Sequence, residues 1–99
     1  MTYVIYDESY TIVEDPSGNV IFANNSMSLA KSSFDLPSSA SRISKVVFGT
    51  KVKTLENELF KNCTALKEVD CSKCPSDFEI PEGCFDGCAS LTTFIWPLE

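Results

Sequence analysis

Histidine is absent from the 99 residues, and with it the side chain that most often serves as a base near neutral pH. No serine or cysteine sits in a motif that would activate it as a nucleophile, and no glycine-rich loop is built to cradle a phosphate. The chain is therefore expected to be no enzyme and to need no cofactor. Basic residues are scarce, with 8 Lys and Arg against 14 Asp and Glu for a net charge of −6. A nucleic-acid surface collects Lys and Arg and gains affinity by releasing counterions, so nucleic acid is not an expected partner, nor is an anionic membrane surface. Long apolar runs are missing too. Nothing approaches the roughly 20 residues of a membrane helix, so no membrane insertion is expected in this segment. The first residues lack the basic start and apolar run of a signal peptide.

What is present is a globular composition with 43% hydrophobic residues. From Tyr3 to Phe22 aromatic and β-branched residues dominate, predicting strands at Tyr3–Tyr6, Tyr10–Val13 and Val20–Phe22. Asp15-Pro16-Ser17-Gly18-Asn19 is a turn between the last two, because Pro fixes φ and Gly or Asn accepts φ > 0. Residues 23–41 are mostly small and polar, with Leu29, Phe34 and Leu36 as anchors, and read as a connector holding one short helical turn around Met27 to Lys31. Five of the fourteen acidic residues and a single basic one precede Arg42. Residues 1–41 are thus read as a β-rich N-terminal cap and connector.

The remainder repeats itself. Leu55-x4-Phe60-x2-Cys63-x2-Leu66-x2-Val69 returns as Ile80-x4-Phe85-x2-Cys88-x2-Leu91-x2-Phe94, shifted by 25 residues at every position. Ile43-x2-Val46-x-Phe48, Leu66-x2-Val69-x-Cys71 and Leu91-x2-Phe94-x-Trp96 form three copies of an apolar unit, offset by 23 and then 25 residues. This is the spacing of the strand segment in a leucine-rich repeat, where each unit lays one short strand beside the next and buries its apolar side only when a neighbour stacks on it. The expected fold is a leucine-rich repeat solenoid of about two and a half units over 42–97. The two extra residues of the second offset fall at Cys74-Pro75-Ser76-Asp77, where a loop absorbs them. Leu98-Glu99 reads as a vector remnant, and no polar cap is visible after Trp96.

The Phe-x-x-Cys-x-x-Leu core, at Phe60-Lys61-Asn62-Cys63-Thr64-Ala65-Leu66 and Phe85-Asp86-Gly87-Cys88-Ala89-Ser90-Leu91, resembles the BspA-like (Treponema pallidum type) leucine-rich repeats. The wording around Asn62-Cys63-Thr64 and Leu91-Thr92-Thr93-Phe94-Ile95-Trp96-Pro97 is most similar to trichomonad surface-antigen members. The resemblance covers about Ile43 to Pro97. It implies a non-enzymatic protein-binding module acting in adhesion or host-protein interaction at the cell surface or after secretion. An intracellular, cytoplasmic scaffold using the same face is the alternative.

Five cysteines raise the question of zinc or a disulfide, since Cys71-x2-Cys74-x9-Cys84-x3-Cys88 approaches ligand spacing. The repeat argues for core thiols instead: Cys63 and Cys88 share one position, Cys71 aligns with Phe48 and Trp96, and Cys84 aligns with Leu59. No metal site is expected, and only Cys74 has no repeat role. Carboxylate pairs such as Glu56/Glu58 and Asp7/Glu8 read as solvated surface. Asn24-Asn25-Ser26 and Asn62-Cys63-Thr64 are formal glycosylation sequons, but Asn62 shares its position with Gly87, and a turn with φ > 0 accounts for it equally well.

Side chains alternate along a strand, so the positions between the inward residues face outward in two rows, Lys45, Glu68, Thr93 and Val47, Asp70, Ile95. These six are the expected contacts for a protein partner, host or self, with Lys45 opposite Glu68 as a cross-strand pair. The last unit, with Phe94 and Trp96 beside a strand edge, is expected to drive homo-oligomer formation.

Overall fold

A computed structural model describes residues 7–36, 38–75 and 78–96. The strand expected at Tyr3–Tyr6 and the proposed remnant Leu98-Glu99 lie outside them. Strands and loops make up the described chain, with two short 3-10 turns at Lys31–Phe34 and Ala40–Arg42 and no α-helix among the described residues. The strands are β1 (Thr11–Glu14), β2 (Val20–Asn24), β3 (Ser28–Leu29), β4 (Lys45–Val47), β5 (Thr54–Leu55), β6 (Glu68–Asp70) and β7 (Thr93–Ile95).

Five of them form one sheet in the order β2-β1-β4-β6-β7. The apolar units at Val46, Val69 and Phe94 do lie side by side as co-directional strands, with Lys45, Val46 and Val47 opposite Glu68, Val69 and Asp70, and these in turn opposite Thr93, Phe94 and Ile95. The N-terminal hairpin continues this sheet in the opposite direction: β1 pairs antiparallel with β4, placing Val13 on Val46, Ile12 on Val47 and Glu14 on Lys45. It thereby satisfies the outer edge of β4, which would otherwise template pairing with another chain. The predicted turn closes the hairpin, with Asp15 Oδ1 accepting the N–H groups of Ser17 and Asn19 at 2.9 Å each and Gly18 at φ +87°.

The stretch read as a connector is more ordered than its composition announces. β3 pairs in parallel with β5, Ser28 on Thr54 and Leu29 on Leu55, and the helical turn falls at Lys31–Phe34, later than expected. Leu29-x4-Phe34 therefore occupies the place that Leu55-x4-Phe60 and Ile80-x4-Phe85 hold in the coils that follow. This second ladder does not continue into the third coil. The Glu56 N–H donates to the Leu29 carbonyl at 2.9 Å, but the equivalent residue one coil later is Pro81, which has no N–H to give.

Between the two ladders the apolar residues stack coil upon coil. Phe34, Phe60 and Phe85 make a column, with ring centroids 5.5 Å and 5.8 Å apart and the Phe60 and Phe85 rings within 8° of parallel. The column continues through Phe94, 5.5 Å from Phe85, to Trp96, 4.4 Å from Phe94, and begins at Phe22, 6.0 Å from Phe34. Ile43, Val46, Phe48, Leu59, Phe60, Cys63, Leu66 and Val69 are buried in one cluster. Cys71, aligned with Phe48 and Trp96, is buried as Phe48 is, whereas Trp96 is 63% exposed because no further coil covers it in the described structure.

Backbone conformation repeats as well. Asn62 (φ +65°) and Gly87 (φ +76°) share the left-handed conformation that their common repeat position requires. They also touch: a Cβ at Gly87 would collide with the Asn62 side-chain oxygen. Gly49 is glycine for a different reason, since the Ser9–Tyr10 backbone passes where its Cβ would be.

Candidate functional site

The outward face of the five-stranded sheet is the surface on which the expected contact residues meet. Within β4 and β6 the central residues Val46 and Val69 are buried while their neighbours are partly exposed, as period-two alternation demands. One row carries Lys45, Glu68 and Thr93, the other Val47, Asp70 and Ile95, each in register across three strands. Ile95 is 38% exposed.

The face is wider than the repeat alone indicates. Pairing of β1 with β4 adds Glu14 beside Lys45 and Ile12 beside Val47, and in β1 it is Thr11 and Val13 that are buried. The rows thus read Glu14, Lys45, Glu68, Thr93 and Ile12, Val47, Asp70, Ile95. The alternation in Thr11-Ile12-Val13-Glu14 was the available signal; which strand it would pair with was not encoded locally.

Charge on the face is fixed by neighbours. Lys45 Nζ lies 3.3 Å from Glu68 Oε2 with both side chains about one-third exposed, a geometry worth roughly a few tenths of a kcal/mol in solvent. Asp70 is anchored more firmly. Burial opposes its ionisation, but the Ser72 hydroxyl and N–H (2.8 Å) both donate to it and Lys45 and Lys73 lie nearby, so its carboxyl titrates below the ordinary range. The face therefore presents two partly exposed aliphatic side chains in line, Ile12 and Val47, and a carboxylate held ionised next to Ile95.

Other residues singled out from sequence are placed elsewhere. Glu56 accepts the Lys31 N–H at 2.8 Å and Glu58 pairs with Lys61 at 3.4 Å. Asp7 accepts the N–H and hydroxyl of Ser9, which hold its carboxyl below the usual range. Cys63, Cys71, Cys74 and Cys84 are buried and Cys88 is half-buried. Burial pushes the Cys63 thiol up to about 12 and the Cys84 thiol up to about 11. Cys88 Sγ instead donates to the Phe60 carbonyl at 3.2 Å, tying the third coil to the second. Among the described residues no three His, Cys, Asp or Glu side chains converge as a metal site. Phe94 is half-buried and Trp96 exposed at the β7 end of the sheet. A shallow groove of about 260 Å³ lies where the second ladder stops, lined by Lys53, Thr54, Leu55, Glu79, Ile80 and Pro81. No helix of the described residues is long and apolar enough to cross a membrane.

The BspA type leucine rich repeat region matches residues 7–99 in six copies, so the match takes in the N-terminal hairpin as well as the coils that follow. No curated protein and no solved structure matches the chain.

Proposed function

Because the chain belongs to the BspA-type leucine-rich repeat family, we propose that it is a protein-binding module whose coils stack as a solenoid and whose working surface is the outward sheet face. The observation that carries this reading is the register of β4, β6 and β7, which lines up Val47, Asp70 and Ile95 on an open surface. Aliphatic side chains flanked by fixed charges are what a partner's side chains pack against when an interface forms. The face does no chemistry: it offers shape, apolar area and an ionised Asp70. The location that fits is the cell surface or the secreted state, with adhesion or binding of a host protein as the role, in keeping with the resemblance to trichomonad surface antigens. The intracellular scaffold is the second reading, and the five free thiols favour it. Surface labelling of intact source cells separates the two.

A triple variant Val47→Lys, Asp70→Arg, Ile95→Glu, tested against a partner captured with wild-type protein, is expected to lose binding while keeping its circular dichroism spectrum. Retained binding would remove the sheet face from consideration. The exposed Trp96 beside the β7 edge supports self-association as a further property; sedimentation is expected to show a species larger than monomer that Trp96→Lys abolishes.

A further inference from the structure

The second coil departs from both neighbours in the last apolar position of its strand unit. Where the coils before and after it carry Phe48 and Trp96, it carries Cys71, and three residues later, at the start of the two-residue expansion, Cys74. Phe78, just after that expansion, packs on Phe48 with its ring centroid 5.6 Å away. The two cysteines share a turn in which the Cys74 N–H donates to the Cys71 carbonyl at 3.0 Å. A hydrogen-bonded turn of this kind brings its end Cα atoms within about 7 Å, overlapping the span that a disulfide bridges. Cys71 has no exposed surface and Cys74 is 5% exposed.

We propose that Cys71 and Cys74 form a dithiol site that hydrogen peroxide converts to an intramolecular disulfide, with Cys74 attacked first and Cys71 resolving. The Cys74 thiolate attacks one peroxide oxygen, the O–O bond breaks, and the products are a Cys74 sulfenic acid and hydroxide, which takes up the proton Cys74 released to become water. The Cys71 sulfur then displaces the sulfenic oxygen, forming the S–S bond, and its proton leaves with that oxygen as a second water. Two thiols are oxidised by two electrons and one peroxide is reduced to two waters. Order of attack follows from access, since Cys74 keeps a little exposed surface and Cys71 has none. A closed disulfide would stiffen the turn whose Ser72 N–H holds Asp70 on the sheet face, so oxidation reaches the outward surface through one residue.

The test exposes the reduced full chain to hydrogen peroxide, quenches with alkylating reagent and maps peptides without reduction. The expected result is a Cys71–Cys74 link, with two hydrogens lost, forming before Cys63, Cys84 or Cys88 is modified. The same treatment in denaturant is expected to give a mixture of pairs. Cys71→Ser is expected to lose the link and accumulate a sulfenic acid at Cys74 that dimedone traps, Cys74→Ser to lose both, and Cys84→Ser to keep the link. Should Cys71→Ser fail to fold, Cys71→Val with the same dimedone readout replaces it. Early oxidation of Cys63, Cys84 or Cys88, or no dimedone adduct at Cys74 in either Cys71 variant, would overturn the proposal.

Discussion

The second and third coils have nearly the same apolar sequence and very different surroundings. Phe60, Cys63, Leu66 and Val69 are fully buried, whereas their counterparts Phe85, Cys88, Leu91 and Phe94 are only partly so. Residue type does not explain this, since Phe60 and Phe85 are identical and Phe94 is larger than Val69. Neighbours do: among the described residues the second coil has a coil on each side and the third has one. In the proposed solenoid, burial belongs to the interface between units, and stability is close to a sum of nearest-neighbour terms. Five measurements bear on that contrast.

The largest effect is expected in the aromatic column. Phe60→Ala should cost about 3–5 kcal/mol, the range for a large ring removed from a packed core. Phe85→Ala should cost markedly less, because its ring already meets solvent on one side. Denaturant unfolding of both decides it, and equal losses would mean the two coils are not distinguished by their neighbours.

Alkaline pH gives the next effect. Burial raises Cys63 to about 12 and Cys84 to about 11 from an ordinary 9.0. Above pH 9 the unfolded thiols ionise while the folded ones do not, so the unfolded state is favoured increasingly until the folded pKa is passed. Stability is therefore full below the unfolded value and declines between pH 9 and about 11 to 12, by at most about 1.4 kcal/mol per thiol per pH unit. Thermal melts across that window should show the fall, and Cys63→Val should lessen it. Alkylation of the native protein should reach half-buried Cys88 before Cys63.

A smaller cost is expected at the contact between Asn62 and Gly87. Gly87→Ala imposes a left-handed backbone on a residue with a side chain, about 1–2 kcal/mol, and adds a collision with the Asn62 side chain. Adding Asn62→Gly should return part of the loss. If the double variant is no more stable than Gly87→Ala alone, the coils do not meet at that point. The smallest effect belongs to the surface: a double-mutant cycle on Lys45 and Glu68 should give about 0.2–1 kcal/mol, weakening with salt.

The strand register and both outward rows were legible in the sequence because they rest on two local rules, alternation along a strand and a fixed offset between copies. The shared left-handed turn of Asn62 and Gly87 and the Lys45–Glu68 pair followed from the same alignment. The first coil was not legible. Leu29-x4-Phe34 precedes Leu55-x4-Phe60 by 26 residues, yet Ile43 precedes Leu66 by 23, so the register slips by three between Phe34 and Ile43 and a fixed offset misses it. The serine-rich composition between them reads as loop, although Ser39 is buried and its hydroxyl donates to the Phe34 carbonyl. Ile12 and Glu14 were missed as members of the outward face because strand pairing between β1 and β4 spans a long stretch of chain and has no local signature. Breakdown of the second ladder at Pro81 was readable in principle, since proline always lacks the donor, but only once β3 and β5 were known to pair.

Trp96 is the chain's single indole, and it sits at the far end of the ring column. Its emission is thus a local gauge of the last coil, while far-ultraviolet dichroism averages over every strand. Following the two signals together through a denaturant titration gives a reading of how tightly the units melt as one: coincident curves mean a single cooperative body, and an early fluorescence change means the chain frays from that end inward.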